Sequence, residues 1–563
     1  MGATLRALRA LVLLAGFHLL GLLLLALLGA LDWVAWRWAP AVWALKTYAL
    51  SFVLAVPVVR GMLMLRTPRD EGVAGVPVTE AEEPRLWSAV RELAGRVGTR
   101  APDEIRLTAD MNAAVTEDAR LLGLRGGTRR LYLGLPLVAG LSESRLRAVL
   151  AHELGHYANS DTRLSGITER SRLHVARTVG RFEEKSGLKV AKERARQERK
   201  SARRVAKGKT AREVDTTGTG FSYRVMARIY TAYGRFSMRA TQSGSRRQEI
   251  AADLAAARIA GRDATASALR ALPALDTAHE FYLNSYATLG VEFGMLPPHG
   301  EVFGGVRHLL DARAEELAGL RAEPAPEPVT PYDSHPPTAE RVATIESLPD
   351  DGRAAEEDRP AFALFTSPEA ALRAVEDATL TPEALGMRRL DWPDLVHESM
   401  TARYVRDTEA LRAAIGEPAG ADAVGRVDRA AGTDAAGAAR VAGSAGRPGR
   451  ADRHRQEVEA FLDAVDDGAV WDLLDRLPKS EEAAAATGRA AREFARSSLR
   501  RELARLLTTA LAVDGRARWQ LSWSAPASLR LPDGYAEELP AALDAAIADR
   551  PDTERLRKLL AAG

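Results

Sequence analysis

The chain of 563 residues contains no cysteine. That absence excludes disulfide staples, a thiol nucleophile, iron–sulfur clusters and any Cys-ligated zinc site. A metal must therefore be held by histidines and carboxylates, and only 10 histidines are present. Neither sign of charge is in excess. The 78 Lys and Arg against 75 Asp and Glu leave a net charge of +3, so no global field recruits nucleic acid or acidic substrates. Aromatic residues make up only 6% of the chain, yet 46% is hydrophobic and 27% charged, a globular balance rather than a disordered one. The length predicts roughly three or four domains.

The apolar residues are concentrated at the start. Leu11 to Leu31 is a run of 21 residues whose only ionisable side chain is His18. About 20 apolar residues cross a bilayer core, and a signal peptide's apolar region is usually shorter, about 7–15 residues. A second, weaker apolar stretch spans 41–65, interrupted by Lys46 and Arg60 near its ends, where long side chains can snorkel to headgroups. Trp33, Trp36, Trp38 and Trp43 cluster between the two, as amphipathic rings do at a membrane interface. Residues 1–70 are therefore expected to form a two-span transmembrane hairpin. Arg6 and Arg9 precede it and Arg60, Arg66 and Arg69 follow, whereas Arg37 and Lys46 are offset by Asp32 between the spans. The positive-inside rule then places both ends, and all that follows, in the cytoplasm.

Residues 71–350 read as one α+β unit, mainly helical, with strands at Ile105-Arg-Leu-Thr and Arg130-Leu-Tyr-Leu and a hairpin between them. Ser142 is a candidate N-cap for a helix running to about Tyr157, with Glu143 favourable in its first turn. Lys185 to Arg212 carries twelve Lys/Arg against two Glu, without aromatic interleaving. That composition suits a solvated helical arm, or one in contact with anionic lipid, better than a nucleic-acid platform. Residues 351–415 are expected to be a helical extension. Residues 416–455, rich in Ala, Gly, Arg and Asp without periodicity, are expected to be a flexible linker. Within 456–563, Val458, Phe461, Leu462 and Val465, then Leu499, Leu503, Leu506 and Leu507, recur at helical spacing and predict a C-terminal helical domain.

Chemistry concentrates in Ala151-His152-Glu153-Leu154-Gly155-His156. On a helix, residues four apart share a face, so His152 and His156 can reach one zinc ion. Glu153 can face a water at that ion without binding the metal, and can move that water's proton to a leaving amine. A catalytic zinc needs a third protein ligand. Asn159 and Thr162 stand three and six residues past His156 where a metzincin would carry histidines, which excludes that class. Asp161 is one possible third ligand. Glu249 in Arg246-Arg-Gln-Glu-Ile-Ala-Ala-Asp253 is a better one, four residues before Asp253 on a helix otherwise built of Ala, Ile and Leu. On this string alone, a solvated face paired with Arg246 or Arg247 is the competing reading.

These residues carry a resemblance. Leu150-Ala-His-Glu-Leu-Gly-His156, then Ser245-Arg-Arg-Gln-Glu-Ile-Ala-Ala-Asp253, then Ser334-His-Pro-Pro-Thr-Ala-Glu-Arg341 resemble, in order, the blocks of the HtpX and CAAX-prenyl-endopeptidase family of membrane zinc metallopeptidases. The resemblance covers roughly residues 70–350. It implies a zincin-like gluzincin fold, one zinc per chain held by His152, His156 and Glu249, and Glu153 as general base and acid. It further implies that Asp253 orients a ligand and that His335 and Arg341 lie beside the cleft to stabilise the tetrahedral intermediate. Asn112-Ala113 resembles the family's edge strand, on which a substrate peptide pairs in extended form, but Ala114 follows where the family often has a large aromatic. Many members carry further spans between the zinc motif and the downstream glutamate. Here Arg224, Arg228 and Arg235 break that stretch, so two spans and no intramembrane chamber are expected. The function these readings imply is membrane-anchored endopeptidase activity on proteins or peptides. The alternative is a membrane scaffold that uses the same fold and its C-terminal helical domain to bind partners.

Overall fold

The structure is a computed structural model and describes residues 3–63, 75–117, 127–158, 162–205, 216, 219–322, 336–352, 359–409, 411, 450–470 and 486–561. The chain divides into two units, Met1–Glu280 with Ala314–Thr379, and Phe281–Arg313 with Leu380–Gly563.

The first unit begins with α1 (Ala3–Trp38) and α2 (Ala41–Leu63), long apolar helices packed against each other. Both are long and apolar enough to cross a membrane, over Ala15–Trp38 and Ala41–Arg60. Their outward faces expose Leu19, Leu23, Leu27 and Phe52, each more than 60% accessible, a surface that water would penalise. The two helices run antiparallel in a fixed register: Ser51 Oγ donates to Asp32 Oδ1 at 2.8 Å, and Gly21 faces Met62. A Cβ on Gly21 would lie 2.8 Å from Met62 Cγ, so a larger residue there would require the Met62 side chain to move.

A mainly antiparallel sheet follows. Strands β1 (Val76–Val78), β2 (Glu104–Thr108), β3 (Ala113–Glu117) and β4 (Arg129–Gly134) are ordered β1-β2-β4-β3, with only β2 and β4 parallel. β3 is an edge strand. Gly134 N donates to the Asn112 carbonyl, and Ala113 pairs with Leu133. Because alternate residues of an antiparallel strand face opposite sides, Ala113 and Val115 turn their main-chain groups to the free edge. Helix α3 (Pro84–Val97), which precedes β2, and helix α5 (Glu143–Ala158), which follows β4 and the short α4 (Leu135–Gly140), pack together beside this sheet. Leu86, Val90 and Leu93 of α3, Ile105, Leu131 and Leu133 of the sheet, and Leu146, Leu150 and Leu154 of α5 are all at most 1% exposed. Three leucines four apart thus fix the buried face of α5, leaving His152, Glu153 and His156 on its partly exposed side.

Two very long helices complete the unit's scaffold: α6 (Thr162–Val205) and α7 (Phe221–Ala260), followed by α8 (Arg262–Tyr282). The basic stretch is indeed helical as far as Val205, and residues 206–212 lie outside the described residues. From Lys185 to Lys200 most of its side chains are exposed, as in a solvated arm, with Ser186 buried, and the deep packing of α6 comes just before it. Phe182 of α6 and Tyr223, Met226 and Tyr230 of α7 bury with Phe17 of α1 and Val58 of α2 in one apolar cluster. Sequence periodicity missed this because arginines break the apolar stripe of α7, yet those arginines lie on the helix's other faces.

The second unit is held by its own core. Val458, Phe461, Leu462 and Val465 of the helix Arg450–Asp466 interlock with Leu499, Leu503, Leu506 and Leu507 of the helix Gly488–Val513, all at most 3% exposed. A short hairpin, Arg518–Gln520 with Ser528–Arg530, flanks them. Residues 281–313 belong to this unit rather than to a continuous 71–350 unit. Met295–Leu296 pairs with Arg388–Arg389 as a two-residue parallel ladder, and Tyr286 stacks on Trp523 at 4.7 Å. Likewise the 351–415 stretch is divided, with the helix Pro368–Thr379 in the first unit and the helix Trp392–Asp407 in the second. Residues 416–449 of the expected linker lie outside the described residues, and 450–455 begin a helix.

Candidate metal centre

Helices α5 and α7 meet through small residues. Gly155 of α5 faces Ala252 and Ala255 of α7, and a Cβ at Gly155 would lie 3.4 Å from the Ala252 main chain. Ala252 and Ala256 are fully buried. With no bulky side chain between the axes, Glu249 and Asp253, four residues apart, come within reach of the two histidines.

His152 Nε2 lies 3.2 Å from His156 Nε2 and 3.6 Å from Glu249 Oε2, and His156 Nε2 lies 3.6 Å from Glu249 Oε1. Ligand atoms at about 2.0–2.1 Å from a tetrahedral zinc stand about 3.3–3.4 Å apart, close to the spacing of the two imidazole nitrogens and of each from one oxygen of the Glu249 carboxylate. Glu249 is 7% exposed and both imidazoles are partly exposed. The triad is thus walled on the protein side and open on the other, as a site that admits a further ligand must be. These three residues form a possible metal-holding cluster among the described residues.

Behind the triad lies a second layer. Asp253, 1% exposed, places Oδ1 2.9 Å from His152 Nδ1. A carboxylate there can accept from a proton carried on Nδ1, the tautomer that leaves the Nε2 lone pair toward the triad. Arg341, on the helix Thr338–Glu346, grips the same carboxylate with two parallel bonds, Nε to Oδ2 at 2.8 Å and Nη2 to Oδ1 at 2.7 Å. Its Nη2 is also 3.6 Å from Glu249 Oε2. Burial alone would raise the Asp253 pKa, but the Arg341 hydrogen bonds, and then that of His152, outweigh it and hold the carboxyl down at about 2. Asp253 is therefore an anion at any pH where the histidines can bind a metal.

The residues singled out in the sequence are distributed as follows. His152, His156 and Glu249 converge, and Asp253 stands behind His152. Glu153 follows His152 on α5 and is partly exposed. Arg341, expected beside the cleft, has two of its donors engaged by Asp253. Asn112 is exposed at the start of β3, and Ala113, its first residue, is buried. His335 and Asp161 lie outside the described residues. Sequence reasoning missed the role of Gly155, although a glycine inside a helix opposite an alanine-rich stretch is a recognisable sign of close helix approach.

Comparisons with known proteins agree with this geometry. Residues 80–348 match Peptidase family M48. The chain is 25% identical over 210 residues to the protein named Protease HtpX of Acinetobacter baylyi, an alignment covering 36% of this chain. The chain thus spans 61% of that relative's length. No solved structure matches it. The 80–348 segment that carries the His152, His156 and Glu249 cluster is thus similar to the M48 peptidases, the protein named Protease HtpX among them.

Proposed function

We propose that this protein is a membrane-anchored, zinc-dependent endopeptidase that hydrolyses peptide bonds of proteins at the cytoplasmic face. The observation that carries this reading is the spacing of the His152, His156 and Glu249 donors, 3.2 and 3.6 Å apart on the open side of α5. Two imidazoles and a carboxylate without thiolate suit zinc in a site that keeps a position for reactants. When bound, the ion would supply Lewis acidity toward a water and the scissile carbonyl.

The chain's own groups do the rest. Glu153 accepts the proton from the attacking water and returns it to the leaving amine. Asp253 keeps a proton on His152 Nδ1 and so orients that ring, while the bidentate Arg341 holds Asp253 in place. The free edge of β3 at Ala113 and Val115, beside α5, offers main-chain groups to an extended substrate, and exposed Asn112 flanks it. His335 is assigned to stabilising the tetrahedral intermediate. The exposed apolar faces of α1 and α2 support two membrane spans, with Arg37 and Lys46 near the turn between them, each beside a tryptophan ring. Contact with anionic lipid headgroups is assigned to the 185–212 stretch from its basic composition, Arg194 and Arg196 there being exposed but close to Glu198 and Glu193.

Metal analysis and casein cleavage by the purified full chain test this assignment. The expected result is about one zinc per chain, kept in Glu153→Gln and lost or weakened in Glu249→Ala, with cleavage abolished in both. Protein that purifies without zinc at neutral pH and cleaves nothing would refute the enzyme reading and favour a scaffold.

A further inference from the structure

The second unit contains a groove that the peptidase reading does not use. It lies between the helix Trp392–Asp407, the helix Gly488–Val513 and the Arg518–Gln520 hairpin, and has a volume of about 450 Å³. That is within the range of pockets that take small ligands or a few peptide residues. Tyr404, Trp519 and Leu529 give it an apolar wall, the two rings lying 5.0 Å apart, while Arg500, Arg501 and Arg505 line the other side.

Two features of this groove call for a ligand. The first is unbalanced charge. Arg500 Nε donates to Asp544 at 2.8 Å and Arg505 lies 3.7 Å from Glu502, but Arg501 donates only to the Ser498 hydroxyl at 3.2 Å. Among the described residues no carboxylate lies within 4.0 Å of Arg501. The second is an unmet donor. Trp519 is 7% exposed, and its indole Nε1–H has no acceptor among the described residues. A buried donor without a partner costs about 1–3 kcal/mol, a cost that a bound acceptor would remove.

We infer that this groove is a docking site for a short acidic peptide segment bearing an apolar side chain. A carboxylate of the segment meets Arg501, flanked by Arg505, and a main-chain carbonyl accepts from Trp519 Nε1. The apolar side chain lies on Leu529. Charge complementarity selects the occupant: the arginines disfavour a basic segment, and the apolar wall disfavours a ligand of charge alone. Arginine clusters recognise acidic motifs in this way elsewhere. The site is separate from the His152, His156 and Glu249 cluster, so its existence does not depend on the peptidase assignment.

The test is fluorescence anisotropy of a labelled hexapeptide of alternating aspartate and leucine against the purified full chain. The expected result is saturable binding, weakened about tenfold or more by Arg501→Glu, equivalent to about 1.4 kcal/mol. A smaller loss is expected in Trp519→Phe, which keeps the ring and removes the donor, and Arg501→Lys should retain most of the affinity. A peptide with lysine in place of aspartate should not bind. Arg501 is exposed, so its variants should fold as the parent does. Absence of binding at millimolar protein, equal affinity in Arg501→Glu, or equal competition by millimolar inorganic phosphate would overturn the inference. The last result would mark a plain anion site.

Discussion

The two ends of α7 use the same helix for opposite purposes. Near its start, Tyr223, Met226 and Tyr230 bury against Phe17, Val58 and Phe182, with charge only at the rim, where Arg60 donates to the Tyr223 hydroxyl and Lys189 lies over its ring. Some 19 residues past Tyr230, about 28 Å along the axis, Glu249 and Asp253 are buried almost as deeply, 7% and 1% exposed. Burying apolar rings is favourable in itself, whereas burying carboxylates is costly unless each is matched by a cation or hydrogen bond. The apolar end therefore anchors the helix, and the acidic end is stable only because His152, His156 and Arg341 surround it. Substitutions at the first end should cost folding with the chemistry intact, and those at the second should cost chemistry with the fold intact.

The sharpest contrast is between Glu153→Gln and Phe182→Ala. Glutamine at 153 should lower peptide cleavage by about 10²–10⁴-fold while zinc content stays the same, because it removes only proton transfer. Alanine at 182 should destabilise the α1, α2, α6 and α7 cluster by about 3–5 kcal/mol, seen as faster hydrogen exchange along α6 and α7, with zinc retained. Loss of zinc in Phe182→Ala would show that the two ends of α7 are not independent.

Next in size, Asp253→Asn should weaken zinc binding by about 10–100-fold, the usual effect of removing a carboxylate that orients a ligand imidazole. Arg341→Lys should fall at the low end of that range, since an ammonium cannot reproduce two parallel bonds to one carboxylate. Competition with a chelator would read both. If Arg341→Lys left zinc affinity unchanged but abolished cleavage, Arg341 would act on substrate rather than through Asp253.

The smallest effect concerns acid. The Asp253 carboxyl titrates at about 2 in the fold, below its ordinary 3.8, so it binds fewer protons folded than unfolded. Its contribution, about 2 kcal/mol, is complete above about pH 4 and is lost as pH falls through about 2. Metal-free protein should show this loss in acid unfolding, and Arg341→Ala should move it to higher pH. An identical acid transition in the parent and Arg341→Ala would remove the guanidinium as its cause.

What could be read in advance follows from the range of the interactions. The buried leucines of α5 and the set from Val458 to Leu507 were legible because a helix repeats its buried face every three or four residues. The converging histidines and Glu249 were legible because their chemistry is rare and their spacing local. The grip of Arg341 on Asp253 joins positions 88 residues apart, and no local pattern announces it. The same limit hid the pairing of Met295–Leu296 with Arg388–Arg389, a ladder too short to leave an alternating signature, which draws 281–313 into the second unit. The packing of α6 and α7 on the apolar hairpin was obscured by basic residues that share those helices with the buried rings.

The central claim is that His152, His156 and Glu249 hold one zinc. X-ray absorption at the zinc edge on the purified full chain, beside Glu249→Ala, tests it most directly. The account predicts a low-coordinate shell of nitrogen and oxygen at about 2.0–2.1 Å, two imidazoles and no sulfur, with an oxygen contribution that diminishes in Glu249→Ala. A shell unchanged by that substitution, or one without imidazole scattering, would contradict it.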